Sequence, residues 1–388
     1  MREIEGGISA IDGLSGCGIR RDRYGLAMIA CSGVGAGVFT RNKVRAAPID
    51  LTAGNLAREG RLDGVIANSG CANAYTGAKG LDDAGEMAGI LAKILKTERS
   101  RIAVASTGVI GRYLDIDLLR ALAEEAKGSF SETPQASQDA ARAIMTTDTR
   151  IKEAAVEHGG IRVAGICKGA GMIEPNMATM LAFLYTDAEI SRDDLAESLA
   201  EAVDSSFNML TVDGDTSTND MVLITATGRR SCQKEVFKEA LGHVCISLAR
   251  KMARDGEGAS KYMETVVSGA RTNEDARLAA KAVSRSNLVK TAIYGEDPNW
   301  GRIVCALGRS GADFDPNDIS LRFRGTGGEV KLVDRGRIVD GVLEEAERLM
   351  KGEEIYILID LHSGEGTARS FGCDLTHEYI DINANYTT

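Results

Sequence analysis

The sequence predicts a mixed α/β (α+β) fold. Three observations carry that expectation. Short apolar runs bounded by glycine turns recur along the chain, amphipathic segments with helix-capping residues lie between them, and no exact repeat, disordered tract or long linker interrupts the alternation. Glycine supplies 44 of 388 residues, about 11% against a usual value of roughly 7%, so many tight turns and close backbone approaches are expected.

The elements follow in order. "GLAMIACS" (25–32) and "AGVFTR" (36–41) read as a hairpin across Gly33 and Gly35. "LDGVIANSG" (62–70) is a strand that ends in a polar glycine loop. "LDDAGEMAGILAKILKT" (81–97) is a helix with Asp82 and Asp83 favourably early. "RIAVAST" (101–107) is a strand. Helices follow at 116–128, stopped by Gly128, and from Pro134 to about Ile144. "GGIRVAGIC" (159–167) and the stretch after Pro175 read as consecutive strands around the loop Gly169 to Gly171. "SRDDLAESLAEAVDSSF" (191–207) is the clearest helix, with Ser191 as N-cap and Asp194 at the capping-box position. "DMVLITATG" (220–228) returns as a strand. Further helices are expected at 234–254, 272–291 and 337–351, and strands at 302–308, 328–333 and 355–361. A smaller C-terminal subdomain is expected from about residue 310 to 388.

Composition bounds the function. Apolar residues make up 44% and charged residues 26%, enough for a sizeable core. The net charge of -10 argues against nucleic acid and anionic membranes as partners, while leaving room for a local pocket of opposite sign. "MREIEGGISAIDG" lacks an apolar signal core, and no stretch reaches the roughly 18 apolar residues of a membrane span, so a cytoplasmic protein is expected. The eight cysteines form no CxxC pair and read as reduced structural thiols. The four histidines, His158, His243, His362 and His377, are too scattered for a zinc motif, so no metal is expected. "SGVGAG" (32–37) lacks the spacing of a dinucleotide loop, and "DGDTSTND" (213–220) lacks the last glutamate of a calcium loop. Asn219 and Asp220 of that second stretch are read as part of a wall near the site, without assigned roles.

One stretch raises a chemical question: "KGAGMIEPNMATMLAFLYTDA" (168–188). Thr179 stands between Ala178 and an apolar run. A β-branched residue suits a buried strand. The same residue also suits a latent nucleophile. Were the Ala178–Thr179 bond cut, the new α-amine, with an ordinary pKa of roughly 7.7–8.0, would sit beside the hydroxyl whose proton it must take. Base and nucleophile would then share one residue, at almost no entropic cost. The residues alone leave both readings open.

The longer motifs resemble the ornithine acetyltransferase family of arginine biosynthesis, also called glutamate N-acetyltransferases. "KGAGMIEPNMATML" is similar to its signature, and the resemblance continues through "GVFTRNKVRAAP" (37–48), "IANSGCANAYTG" (66–77), "STGVIG" (106–111), "MTTDT" (145–149), "DGEGASK" (255–261), "YGEDPNWGRI" (294–303) and the tail "INANYTT" (382–388). It implies a layered fold and a mechanism like that of N-terminal-nucleophile enzymes. The precursor would cut itself between Ala178 and Thr179 into an α-chain of residues 1–178 and a β-chain of residues 179–388, joined as α2β2. Pairing of 161–167 with the strand after the cut would hold the two together.

The resemblance also implies roles. Thr179 is the nucleophile, and Thr107 and Gly108 form the oxyanion hole. Thr146, Lys168, Glu257, Asn383 and Thr388 contact substrate. The implied reaction moves acetyl from N2-acetyl-L-ornithine to L-glutamate through acetyl-Thr179, with no cofactor. Some family members also accept acetyl-CoA, a choice the sequence leaves open. Cys71 stands where asparagine is common and Ala170 where serine is common, and neither removes a proposed catalytic group. Trp300, the only tryptophan, has no chemical assignment. A self-processing hydrolase that passes its acyl group to water, and a non-enzymatic relic, are the rival readings.

Overall fold

The computed structural model describes residues 1–174 and 180–385. The chain divides into two compact units, one of Met1–Asn208 with Asp215–Leu248, the other of Met209–Gly214 with Ala249–Thr387. The fold is mixed α/β, as the alternation of runs and caps predicts.

The first unit is built on one nine-stranded sheet in the order β1-β6-β7-β8-β9-β3-β4-β5, with β2 paired to β3 off that path. Its strands are β1 (Arg2–Glu3), β2 (Ser15–Arg21), β3 (Tyr24–Phe39), β4 (Arg61–Ser69), β5 (Ile102–Ser106), β6 (Lys152–His158), β7 (Ile161–Lys168), β8 (Leu181–Glu189) and β9 (Met221–Ser231). The hairpin expected at 25–41 is instead the single long strand β3. Gly33, Gly35 and Gly37 stay out of the left-handed region that a tight turn would need. They serve close packing: a Cβ on Gly33 would run into the backbone of Ala226 on β9.

Strand β3 changes partners along its length. Its first half pairs with β2 and β4, its second half with β9, and the register slips between Ala30 and Gly33. Such a bulge bends a strand. The result is two layers facing one core. Ala27, Ile29, Val65 and Ala105 come to that core from the β3–β4–β5 side, and Ile166, Phe183, Tyr185 and Leu223 from the β7–β8–β9 side. The alternate residues of the first layer, Met28, Ile66 and Val104, point the other way. They meet Met87 and Leu91 of helix α2 and Leu122 of α3.

The helices of this unit are α1 (Ala47–Glu59), α2 (Gly77–Leu95), α3 (Ile116–Ala126), α4 (Pro134–Ala143) and α5 (Arg192–Ser205), with α6 (Lys234–Arg254) running on into the second unit. Ser191 caps α5 as its sequence predicts, its hydroxyl accepting from Asp194 N at 3.2 Å and donating to Asp194 Oδ2 at 2.6 Å. Helix α1 closes the open edge at β5. The buried Thr52 hydroxyl accepts from Val104 N and donates to Val104 O, both at 2.8 Å. A strand edge is thereby satisfied by a helix side chain.

The second unit carries a six-stranded sheet in the order β13-β12-β11-β14-β10-β15. Its strands are β10 (Tyr262–Ala270), β11 (Ser320–Gly325), β12 (Gly328–Asp334), β13 (Arg337–Ile338), β14 (Glu354–Asp360) and β15 (Gly366–Cys373). Only β10–β14 is parallel. Its remaining helices are α7 (Asn273–Ser284), α8 (Asn287–Tyr294), α9 (Trp300–Gly308), α10 (Leu343–Met350) and α11 (His377–Asn385). The unit begins well before residue 310, because β10 and α7 belong to its sheet and its helical layer.

The strand expected at 302–308 is the helix α9. Asn299 caps it, accepting from Arg302 N at 3.2 Å, and Ile303, Ala306 and Leu307 fall on one buried helical face. The half-buried Trp300 opens that helix. The expected helix at 272–291 is two helices, α7 and α8, broken at Arg285 and Ser286. The helix expected from 337 begins only at Leu343, after the short strand β13.

Thr52 gives the first test. Thr52→Val keeps the shape but strands the N–H and C=O of Val104, at roughly 1–3 kcal/mol for each buried group left unpaired. Urea unfolding is expected to show a loss of about 2–4 kcal/mol. Thr52→Ser is expected to keep most of the wild-type stability.

Candidate active site

Two turns meet at the ends of β4 and β5. Thr107 N donates to Asn68 O at 3.0 Å, Ala72 N to Val109 O at 3.0 Å, and Gly111 N to Ala74 O at 3.0 Å. Gly108 sits between these links with φ +129°, and a Cβ there would run into the backbone of Gly70 and Cys71. Only glycine fits, because the conformation is left-handed and the neighbouring backbone is in contact. This is a physical reason for the first glycine in "STGVIG".

Lys168 ends β7 and is 5% exposed. Its Nζ donates to Thr146 Oγ1 at 2.8 Å and to Thr107 Oγ1 at 3.3 Å. Three residues far apart in sequence are thus drawn to one ammonium. Behind them lies Asp148, whose side chain is fully buried. Asp148 Oδ1 accepts from Lys152 Nζ and from Gly169 N, both at 2.6 Å. Its Oδ2 accepts from Thr146 N at 3.1 Å and lies 4.0 Å from Lys168 Nζ.

Burial alone would raise the Asp148 pKa. The ammoniums of Lys168 and Lys152, with the hydrogen bonds from Lys152 and Gly169, outweigh it and hold the carboxyl well below the usual carboxylate range. Asp148 was not singled out by sequence reasoning. The available signal was its i, i+4 spacing from Lys152 and its place in "MTTDT". Its use as a hub depends on contacts with β7 that no local pattern reveals.

Asn219 and Asp220 immediately precede β9. The buried Asn219 side chain donates to Ala72 O at 2.6 Å and to Ser106 O at 2.8 Å. Asp220 Oδ1 accepts from Met180 N at 2.8 Å. Met180 is the first described residue after the predicted nucleophile, and Met221 N returns to Met180 O at 3.0 Å.

The second unit holds two more of the predicted residues. Glu257 lies in the loop between α6 and β10. Asn383 Nδ2 of α11 donates to Glu257 Oε2 at 2.8 Å. The next residue, Gly258, has φ +66°, and its carbonyl accepts from Thr376 Oγ1 at 2.7 Å. Asp374 Oδ1 accepts from Ser260 N at 2.9 Å and Lys261 N at 3.1 Å, so the segment after β15 braces the Glu257 loop at several points.

The structure therefore gathers Thr107, Gly108, Thr146 and Lys168 in the first unit and pairs Glu257 with Asn383 in the second. Ala178, Thr179 and Thr388 lie outside the described residues. Cys71 bridges to Thr107 across the two turns, but burial pushes its thiol up from the ordinary range, which does not favour a thiolate there. Among the described residues, no group of three or more His, Cys, Asp or Glu is placed to hold a metal ion. No helix among them is long and apolar enough to cross a membrane.

The Asp148 hub predicts a pH dependence. Its folded pKa is depressed from 3.8, so its stabilisation is fully present above that value and is lost as pH falls below it toward the folded pKa. Asp148→Asn is expected to be less stable at neutral pH. Its stability is also expected to fall less steeply than the wild type's below about pH 4. Chemical denaturation at a series of pH values measures both.

Comparison with known proteins agrees with the motifs. A model of the ArgJ family matches residues 13–388. The glutamate N-acetyltransferase of Methanosarcina mazei is 51% identical over 395 residues, covering 100% of each chain. The arginine biosynthesis bifunctional protein ArgJ of Archaeoglobus fulgidus is 50% identical over 382 residues, covering 98% of this chain and 100% of that one. The crystal structure of arginine biosynthesis bifunctional protein argJ from Bacillus halodurans is 39% identical with a TM-score of 0.49, covering 52% of this chain and 96% of that one. The full-length identity to the Methanosarcina mazei and Archaeoglobus fulgidus proteins, together with the family match, bears out the resemblance read from the sequence: the chain belongs to the ArgJ family.

Proposed function

We propose that this chain cleaves itself before Thr179 and then transfers acetyl from N2-acetyl-L-ornithine to L-glutamate through acetyl-Thr179. The observation that carries the reading is the Lys168 cluster. It gathers Thr107, Thr146 and the buried Asp148 beside the start of β8, in a chain about half identical to a glutamate N-acetyltransferase over its whole length.

The chemistry follows from the donors. In the first half-reaction, Thr179 Oγ attacks the acetyl carbonyl and its proton passes to the α-amine of the same residue. The carbonyl oxygen becomes an oxyanion. Because Lys168 donates to Thr107 Oγ1, the Thr107 hydroxyl keeps its own hydrogen for that oxyanion, and Gly108 N–H is the second donor. Collapse of the intermediate breaks the C–N bond, and the proton returns to ornithine as it leaves. Glutamate then enters, and its amine takes the acetyl group by the reverse sequence. Lys168 and Thr146 meet the substrate α-carboxylate. Glu257, held by Asn383, meets the ornithine side-chain ammonium. The covalent intermediate conserves the acyl group, so the cycle needs no cofactor.

Self-cleavage uses the same donors, with the Ala178 carbonyl as the target. The products stay together in this reading. β7 and β8 are paired antiparallel from Lys168↔Leu181 to Val163↔Thr186, and β9 flanks β8 on its other side. A chain of residues 179–388 would thus stay inside the sheet, and the assembly is read as α2β2 in the cytoplasm. The donor range is read as including acetyl-CoA only if a direct assay shows it; relatives of nearly equal identity carry the monofunctional and the bifunctional name.

Intact-mass measurement tests the reading. Wild-type protein is expected as chains of 178 and 210 residues that separate only in denaturant, while Thr179→Ala stays at 388. Thr107→Ala removes one oxyanion donor and is expected to lower kcat by roughly 100–1,000-fold. Equal cleavage in Thr179→Ala, or acetate release that glutamate does not divert, contradicts the proposal.

A further inference from the structure

We propose that Asn219 and Asp220 are positioning residues, a rib that holds the oxyanion turn at a fixed span from the nucleophile strand. This rests on the roles given above to Thr179, Thr107 and Gly108. The two residues are consecutive, just before β9, and their side chains bond to different segments. One reaches toward the ends of β4 and β5, the other toward β8.

The contacts fall on particular peptide groups. Asn219 Nδ2 donates to Ser106 O at 2.8 Å, and Thr107 N donates to Asn68 O at 3.0 Å. Ser106 C=O and Thr107 N–H belong to the same planar peptide, so that plane is gripped on both edges and cannot rotate. The other Asn219 bond, to Ala72 O at 2.6 Å, ties in the turn that abuts Gly108. On the opposite side, Asp220 Oδ1 fixes Met180 N, which belongs to the peptide bond with Thr179. The rib itself is anchored. Thr40 N donates to Asp220 O at 3.0 Å, Ala46 N to Thr218 O at 2.9 Å, and Thr40 Oγ1 to Ser217 O at 2.8 Å.

The two positions ask for different chemistry. Asn219 faces two carbonyl oxygens and must donate. An aspartate there would set its lone pairs against them. Asp220 faces an N–H and must accept, which an asparagine oxygen also does. The sequence order Asn-Asp matches this order of needs, and it explains a stretch that composition alone reads as an acidic turn.

The test follows self-cleavage by intact mass, acetyl transfer kinetics from N2-acetylornithine to glutamate, and thermal melting. Asn219→Asp is expected to lose about 100-fold in kcat and to cleave slowly, as for an oxyanion site moved by about an ångström. Its KM is expected to stay within about threefold of wild type. Asp220→Asn is expected to keep kcat within about fivefold, and Asp220→Ala to lose it with Asn219→Asp. If Asn219 acts through the oxyanion turn, the double variant Thr107→Ala/Asn219→Asp is expected to be little slower than the worse single variant, since coupled residues are not additive.

A lower melting temperature with unchanged kcat in Asn219→Asp, or losses that multiply in the double variant, overturns the proposal. Should Asn219→Asp fail to fold, the Asp220 pair decides: equal kcat in Asp220→Asn and Asp220→Ala overturns it, and a large gap in favour of asparagine supports it. A wild-type chain that neither cleaves nor transfers acetyl overturns the underlying reading instead, and the two failures are told apart by that control.

Discussion

A carboxylate with no access to water, set among two lysines and two backbone N–H groups, is the constraint on which the site depends. Removing Asp148 from solvent is costly, and that cost is offset only if every donor keeps its place. The partners come from three segments: the N–H of Thr146 before it, Lys152 on β6, and the Lys168 charge with the Gly169 N–H at the end of β7. Asp148 therefore works as a geometric lock. Held this way, Lys168 reaches both Thr146 and Thr107, and a single ammonium links the β7 end to the β5 end.

That link is possible because β3 is bent. One strand pairs with β4 in its first half and with β9 in its second, so the sheet turns into two layers around the core of Phe183, Tyr185 and Ile166. The ends of β5 and β7, which are far apart along the strand order, then lie within hydrogen-bonding reach. Alanines at 27, 67, 105 and 164 on the facing sides keep the layers close. A small-residue interior and a polar lock at its rim fit a site whose task is to hold donors still while charge develops on an oxygen.

Much of this was legible in the sequence where the signal was local. The α5 helix was readable from Ser191 and Asp194, because a capping box is a contact between residues three apart. Strand β5 and the turn at Thr107 and Gly108 were readable from an apolar run meeting a glycine. The misreadings have physical causes. Gly33 and Gly35 look like turn residues, but Gly33 lets the backbone of Ala226 on β9 approach, a contact nearly two hundred positions away, and Gly35 makes room for the side chains of Leu56 and Leu62. The run 302–308 is apolar enough for a strand, and only the cap at Asn299 and the spacing of Ile303, Ala306 and Leu307 mark it as helix. Thr146 and Lys168 were reached through family resemblance, not chemistry. Asp148 and the roles of Asn219 and Asp220 were missed because their partners are set by tertiary contacts.

The central claim is that acetyl rests on Thr179 between the two amino acids. The measurement is a quenched reaction of processed protein with isotopically labelled N2-acetylornithine, followed by peptide mapping with and without glutamate. The account predicts label on the N-terminal residue of the 179–388 chain when ornithine has left and glutamate is absent. It predicts loss of that label into N-acetylglutamate once glutamate is added. Label on Lys168 or on a cysteine such as Cys71, with none on Thr179 at any time, would contradict it.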